Sequence, residues 1–203
     1  MADKLVPSDV AFSDAVKAEQ VKHGSRAAYA KLERGRGWAT TATPALREFL
    51  AERDSCYLAT ANAKGQPYIQ HRGGPRGFVR VLDERTLGFA DFAGNRQFIT
   101  TGNLVENDQA FLFFMDYAHH QRIKIWGTAK MVEGDAALLA KLMPPDYDAH
   151  AERALVFSIH AWDANCPQHI PTKLDLADVT ALVDKLQARI AALEAENAKL
   201  RAG

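Results

Sequence analysis

Between Ser55 and Trp162 the sequence runs as a series of short apolar stretches, with turn-forming residues in the gaps between most of them. Strands are expected at Ser55–Ala61, Gln66–Arg72, Phe78–Leu82, Thr86–Phe92, Ala110–Met115, Arg122–Val132 and Ala154–Trp162. Ala63-Lys64-Gly65, Gly73–Gly77 and Asp83-Glu84-Arg85 supply turns, and one short helix is expected from about Asn95 to Val105. Strands at such spacing, with one inserted helix and no strand–helix–strand alternation, specify an antiparallel barrel rather than a parallel sheet.

The flanks follow different periods. Residues 1–52 read as a helical segment with loops. Ser8 and Asp9 are expected to cap a first helix carrying Val10, Val16 and Val21, which Gly24 stops. Gly35 and Gly37 break the chain around Arg36, and Thr43-Pro44 starts a helix that carries Leu46, Phe49 and Leu50. Residues 53–172 hold the barrel. In residues 173–203, Leu176, Val179, Val183, Leu186, Ile190, Leu193, Asn197 and Leu200 alternate steps of three and four, the a and d positions of a heptad repeat. Alanines and charges fill the positions between, which narrows the seam to that of a two-stranded coil, and an asparagine at an a position fixes register. A parallel coiled coil between two copies is expected, against the alternative of an amphipathic helix packed on the barrel.

Composition excludes several classes. Lysine plus arginine and aspartate plus glutamate number 25 each, so no net field favours nucleic acid or an acidic membrane. No stretch approaches the roughly 20 apolar residues of a membrane helix, and the charged N-terminus does not read as a signal peptide. A cytoplasmic protein is expected, with Cys56 and Cys166 reduced. His119-His120 in a hairpin turn lacks a third ligand, so no metal site is expected. There is no GxSxG, Walker or Rossmann motif to support hydrolysis or nucleotide triphosphate chemistry.

Three segments carry functional side chains. Phe89 to Gln97 runs from a strand through a small-residue turn into the expected helix, whose free N–H groups and Arg96 suit an anion. Gln70-His71-Arg72-Gly73-Gly74 sets an arginine beside glycines that let a ligand approach the backbone. In Gln121-Arg122-Ile123-Lys124-Ile125-Trp126-Gly127, alternation puts Arg122, Lys124 and Trp126 on one strand face. Each has a plain structural reading as well: a helix cap, a basic hairpin and a solvated strand face.

In this order the segments resemble the pyridoxamine 5′-phosphate oxidase-related family of FMN-binding split barrels, over about Ala45 to Val132. The resemblance implies a mainly β fold with flanking helices (α+β), a six-stranded antiparallel split β-barrel followed by the C-terminal coiled-coil helix. It implies FMN as cofactor, in a homodimer with the site at the subunit interface. Arg96 takes the place of the arginine that grips the FMN phosphate, Asn95 that of a serine and Gln97 that of a lysine. Arg122, or Gln121 after a small register change, takes that of a flavin-contacting glutamine. Gln70, His71, Arg72 and Gly73, with Arg80 on the next strand, lie in the region of the ring and ribityl contacts, and Asp91 aligns with a residue that touches the cofactor. Positive charge from Arg72 or Arg122 would stabilise the anionic reduced flavin.

The C-terminal stretch departs from the oxidase, whose tryptophan–arginine motif recognises pyridoxamine phosphate. Here it reads Ala161 to Pro171, with Trp162 able to pack on a flavin ring and Cys166 or His169 able to face a substrate. The implied function is an FMN-dependent oxidoreductase with a small-molecule redox substrate other than pyridoxamine phosphate. A non-catalytic flavin or haem module and an F420-dependent reductase stay open beside it.

Overall fold

The structure, a computed structural model, describes residues 6–164 and 167–202. The chain divides into two compact units, Met1–Met115 with Arg122–Cys166 and Asp116–Gln121 with Pro167–Gly203.

The first unit opens with a 3-10 turn, Pro7–Val10, followed by α1 (Asp14–Lys22), α2 (Arg26–Arg34) and α3 (Pro44–Ala51). The cap of α1 is Ser13, whose hydroxyl accepts from the Val16 N–H, and not Ser8 or Asp9. Asp9 is taken up instead by the Val6 N–H and an ion pair with Lys17 at 2.7 Å. α3 begins as expected: the Thr43 hydroxyl accepts from the Leu46 N–H, and the three-and-four spacing buries Leu46, Phe49 and Leu50. Trp38 stacks on Trp126 with ring centroids 4.6 Å apart, which fixes the segment between α2 and α3 to the outer face of the sheet.

The strands are β1 (Ser55–Ala61), β2 (Pro67–Gly73), β3 (Arg80–Val81), β4 (Thr86–Phe92), β5 (Gln109–Asp116), β6 (Gln121–Val132) and β7 (Ala151–Ala164). They form one sheet in the order β2-β1-β5-β6-β7-β4-β3, a split-barrel-like arrangement, with antiparallel registers between β1 and β2, β1 and β5, β3 and β4, β4 and β7, and β6 and β7. The count is seven, one more than the six-stranded barrel that the resemblance implies. The strand expected at Phe78–Leu82 is cut to β3, two residues long and paired only through Arg80↔Gly88 and Val81↔Leu87, because Phe78 and Val79 turn into the core before the ladder begins. Alternation sends Leu58, Leu112, Phe114, Ile125 and Phe157 into one core cluster with Phe89 and the apolar face of α3. β4 is buried on both faces, since Ala90 meets a second cluster around Leu142 of helix α5 (Ala136–Leu142). Cys56 is a free thiol in the main core, and burial pushes its pKa up to about 12, which removes it from nucleophilic chemistry at neutral pH.

Helix α4 (Ile99–Glu106) starts four residues later than the sequence suggests. Asn95 does not cap it. Its Oδ1 accepts from the Gln97 N–H in a local turn, and Arg96 and Phe98 both take left-handed backbone conformations, with φ of 59° and 54°.

The second unit contains the turn between β5 and β6 and the helix α6 (Leu176–Ala202). Here His119 packs its ring nitrogen on Asp116, His120 meets the Thr172 hydroxyl, and Lys173 lies over the Tyr117 ring. Among the described residues no helix is long and apolar enough to cross a membrane, and no group of three or more His, Cys, Asp or Glu is placed to hold a metal ion.

Candidate functional site

The alternation of β2 decides which of its residues serve a site. Tyr68, Gln70 and Arg72 share one half-buried face, while Ile69, His71 and Gly73 face the other way. The first face looks into a cavity of about 280 Å³ whose other walls are Asp91 and Phe92 of β4, the 94–98 segment, the first turn of α4, and Glu152 and Arg153 of β7.

Two polar contacts seat α4 against this wall. The Thr100 hydroxyl donates to Gln70 Oε1 at 2.8 Å, and the Asn103 amide donates to the Thr60 hydroxyl at 3.0 Å, all but Gln70 being buried. They hold the start of α4 at the cavity, where the N–H groups of a first helical turn lack partners within the helix.

The floor is a buried charge triad. Asp91, 3% exposed, accepts from Arg72 on one oxygen and from Arg153 on the other, the latter at 2.8 and 3.0 Å. Asp91 and Arg153 stand directly opposite in the β4–β7 register, and a bulge follows at once between Asp91 and Phe92. The bulge inserts Glu152, which turns to pair with Arg96 at 3.2 Å. Both Arg96 and Arg153 lie over the Phe98 ring, at 5.6 and 5.0 Å from its centroid. The cavity therefore gathers three guanidinium groups against two carboxylates, a formal excess of one positive charge. Arg72 Nε is buried without a hydrogen-bond partner. Guanidinium forks, helix-start amides and threonine hydroxyls form a donor set suited to a phosphate group.

Of the residues singled out in the sequence, Gln70, Arg72, Asp91, Asn95, Arg96 and Gln97 line this cavity. His71 lies on the opposite face of β2 with its ring edge-on to Tyr57, and Gly73 ends that strand. Arg80 sits on the short edge strand and Arg122 near the start of β6, each with a buried, unpartnered Nε. Trp162 packs against the main core, and its indole N–H donates to the Thr41 carbonyl at 2.8 Å. Gln121 belongs to the other unit, exposed at the start of β6, as is His169 in its loop; Cys166 lies outside the described residues. Sequence reasoning missed Tyr68, Phe98, Thr100, Thr101, Glu152 and Arg153. Arg153 left a signal: carrying the alternation of Leu155 and Phe157 back two residues points an arginine inward.

A family model described as Pyridoxamine 5′-phosphate oxidase matches residues 42–172, well over half of the chain. No curated protein matches it. Among solved structures, HupZ of Group A Streptococcus is 18% identical with a TM-score of 0.49, covering 65% of this chain and 99% of that one. A putative pyridoxamine 5′-phosphate oxidase from Lactobacillus delbrueckii is 19% identical with a TM-score of 0.48, covering 62% and 95%. An FMN-binding protein from Syntrophomonas wolfei is 14% identical with a TM-score of 0.47, covering 75% and 96%. The assignment rests on the family model, whose span takes in every strand and the whole cavity: the chain belongs to the pyridoxamine 5′-phosphate oxidase family.

Proposed function

We propose that the protein is an FMN-binding oxidoreductase that holds the flavin phosphate in the arginine-lined cavity and acts on a small molecule other than pyridoxamine phosphate. The observation that carries this reading is the gathering of Arg72, Arg96 and Arg153 against two carboxylates in one cavity beside the start of α4. At about 280 Å³ the cavity lies just below the ~300–1,000 Å³ range of small-molecule sites, which suits the phosphate and ribityl end of a flavin with the ring extending beyond it.

Each residue then has a task. Arg96, the most exposed of the three arginines, exchanges Glu152 for the phosphate and closes on it from the solvent side. Arg72 donates from below, and Asp91 keeps Arg72 and Arg153 from moving apart under mutual repulsion. Thr100, tied to Gln70, sets the helix-start amides at the phosphate. A bound flavin would supply the redox chemistry, taking a hydride or an electron pair from a small donor. The departure of Ala161 to Pro171 from the tryptophan–arginine motif that recognises pyridoxamine phosphate in the oxidase favours a different substrate. A homodimer that completes the ring side of the site is part of this proposal.

Cofactor release from the purified protein tests the assignment. Heat-released ligand should show flavin absorbance and the mass of FMN, and the bound flavin should bleach on addition of NAD(P)H or another small donor. Release of F420 or haem, or failure to take up FMN, overturns the cofactor. Binding without reduction by any donor overturns the oxidoreductase half.

A further inference from the structure

Independent of the cavity, α6 presents its apolar seam to solvent along its length. Among the described residues nothing within its own unit covers it: Leu186 and Ile190 are 54% and 55% exposed. With 27 residues the helix is about 40 Å long, far more than a cap on a loop requires.

We propose that α6 docks on α6 of a second copy as a parallel, in-register two-stranded coil. The occupant follows from three features of its heptads. Val183 and Ile190 occupy a positions with Leu186 and Leu193 at d, the β-branched and leucine placement that favours two parallel strands. Charge complementarity comes next. In a parallel pair, the g residue of one helix meets the e residue five positions later on its partner. Arg189 at g then faces Glu194, and Glu196 at g faces Arg201, each pairing being formed twice by the two-fold axis. Orientation is set by Asn197 at an a position. In a parallel coil it meets its own counterpart, and the two amides hydrogen-bond to each other. An antiparallel coil pairs a with d and would bury Asn197 against an apolar side chain.

Disulfide trapping in the full chain tests orientation and partner together. Leu193→Cys places a thiol on the seam directly opposite its counterpart, and Ala195→Cys places one on the outer face. With the unmodified chain as blank for its native cysteines, mild oxidation should yield a disulfide-linked dimer from L193C and none from A195C. In the L193C background, Arg189→Glu should weaken association about tenfold by turning two attractions into repulsions. Adding Glu194→Arg to the same chain should restore it. Equal trapping at both positions, no trapping at Leu193, or no rescue by the second reversal overturns the proposal.

Discussion

Replacing Gly127 with alanine is expected to lower the melting temperature of the protein by about 6–12 °C, a loss of about 3 kcal/mol or more. The ladder between β6 and β7 shifts register between Trp126 and Gly127, which brings the two backbones together there. A Cβ at Gly127 would stand 1.9 Å from the Ser158 carbonyl oxygen and 2.7 Å from Cε1 of the fully buried Phe157. A backbone oxygen cannot swing aside as a flexible side chain can, so one strand must leave the ladder. The contrast is Gly102, inside α4, where a Cβ meets nothing within 4 Å. Gly102→Ala should stabilise the fold by roughly 0.5–1 kcal/mol through helix propensity alone. Thermal or urea unfolding of the two variants side by side checks both signs. A Gly127→Ala protein that melts with the unmodified one contradicts the bulge.

Asp91→Ala should cost a similar amount for a different reason. Asp91 holds two arginines whose side chains are only 16% and 12% exposed, and removing it leaves Arg72 without its counterion and Arg153 with only the exposed Glu133, 3.7 Å away. Breaking a buried ion pair from one side typically costs about 3–5 kcal/mol. The same vacancy should make the variant respond to anions. FMN or inorganic phosphate can satisfy Arg72 and Arg153 directly, so either should raise the melting temperature of D91A more than that of the unmodified protein. Unchanged stability on removing Asp91 would contradict the triad. A destabilised variant indifferent to both anions would confine the triad to structure.

Most of the barrel was legible because its signals are local. Ser55–Ala61 and Thr86–Phe92 match expectation at both ends, since polar turn residues bracket both runs, the first alternating and the second buried on both faces. α3 was readable from Thr43-Pro44 for the same reason. The start of α4 was not. An asparagine before a helical run normally reads as a cap, and only the left-handed conformations at Arg96 and Phe98 divert Asn95 into a turn of its own. Nothing in single-residue preference predicts a left-handed phenylalanine. The chain nevertheless brings Arg96 to the cavity, although the helix starts later than the sequence suggests. Glu152 escaped because its role depends on a bulge between two strands far apart in sequence. Arg80 and Trp162 were linked to the site by the resemblance alone and Arg122 also by strand alternation, and none of the three lines this cavity.

The central claim is that the arginine-lined cavity recognises the phosphate of a flavin, and affinity for FMN relative to riboflavin measures it most directly. The two ligands share ring and ribityl chain and differ in the phosphate alone. Two charge-assisted hydrogen bonds at about 1.5 kcal/mol each make FMN the tighter ligand by roughly a hundredfold. Titration of ligand-free protein, followed by quenching of flavin fluorescence, should show that ratio, and Arg96→Ala should shrink it while leaving riboflavin affinity unchanged. Equal affinity for FMN and riboflavin would contradict the account.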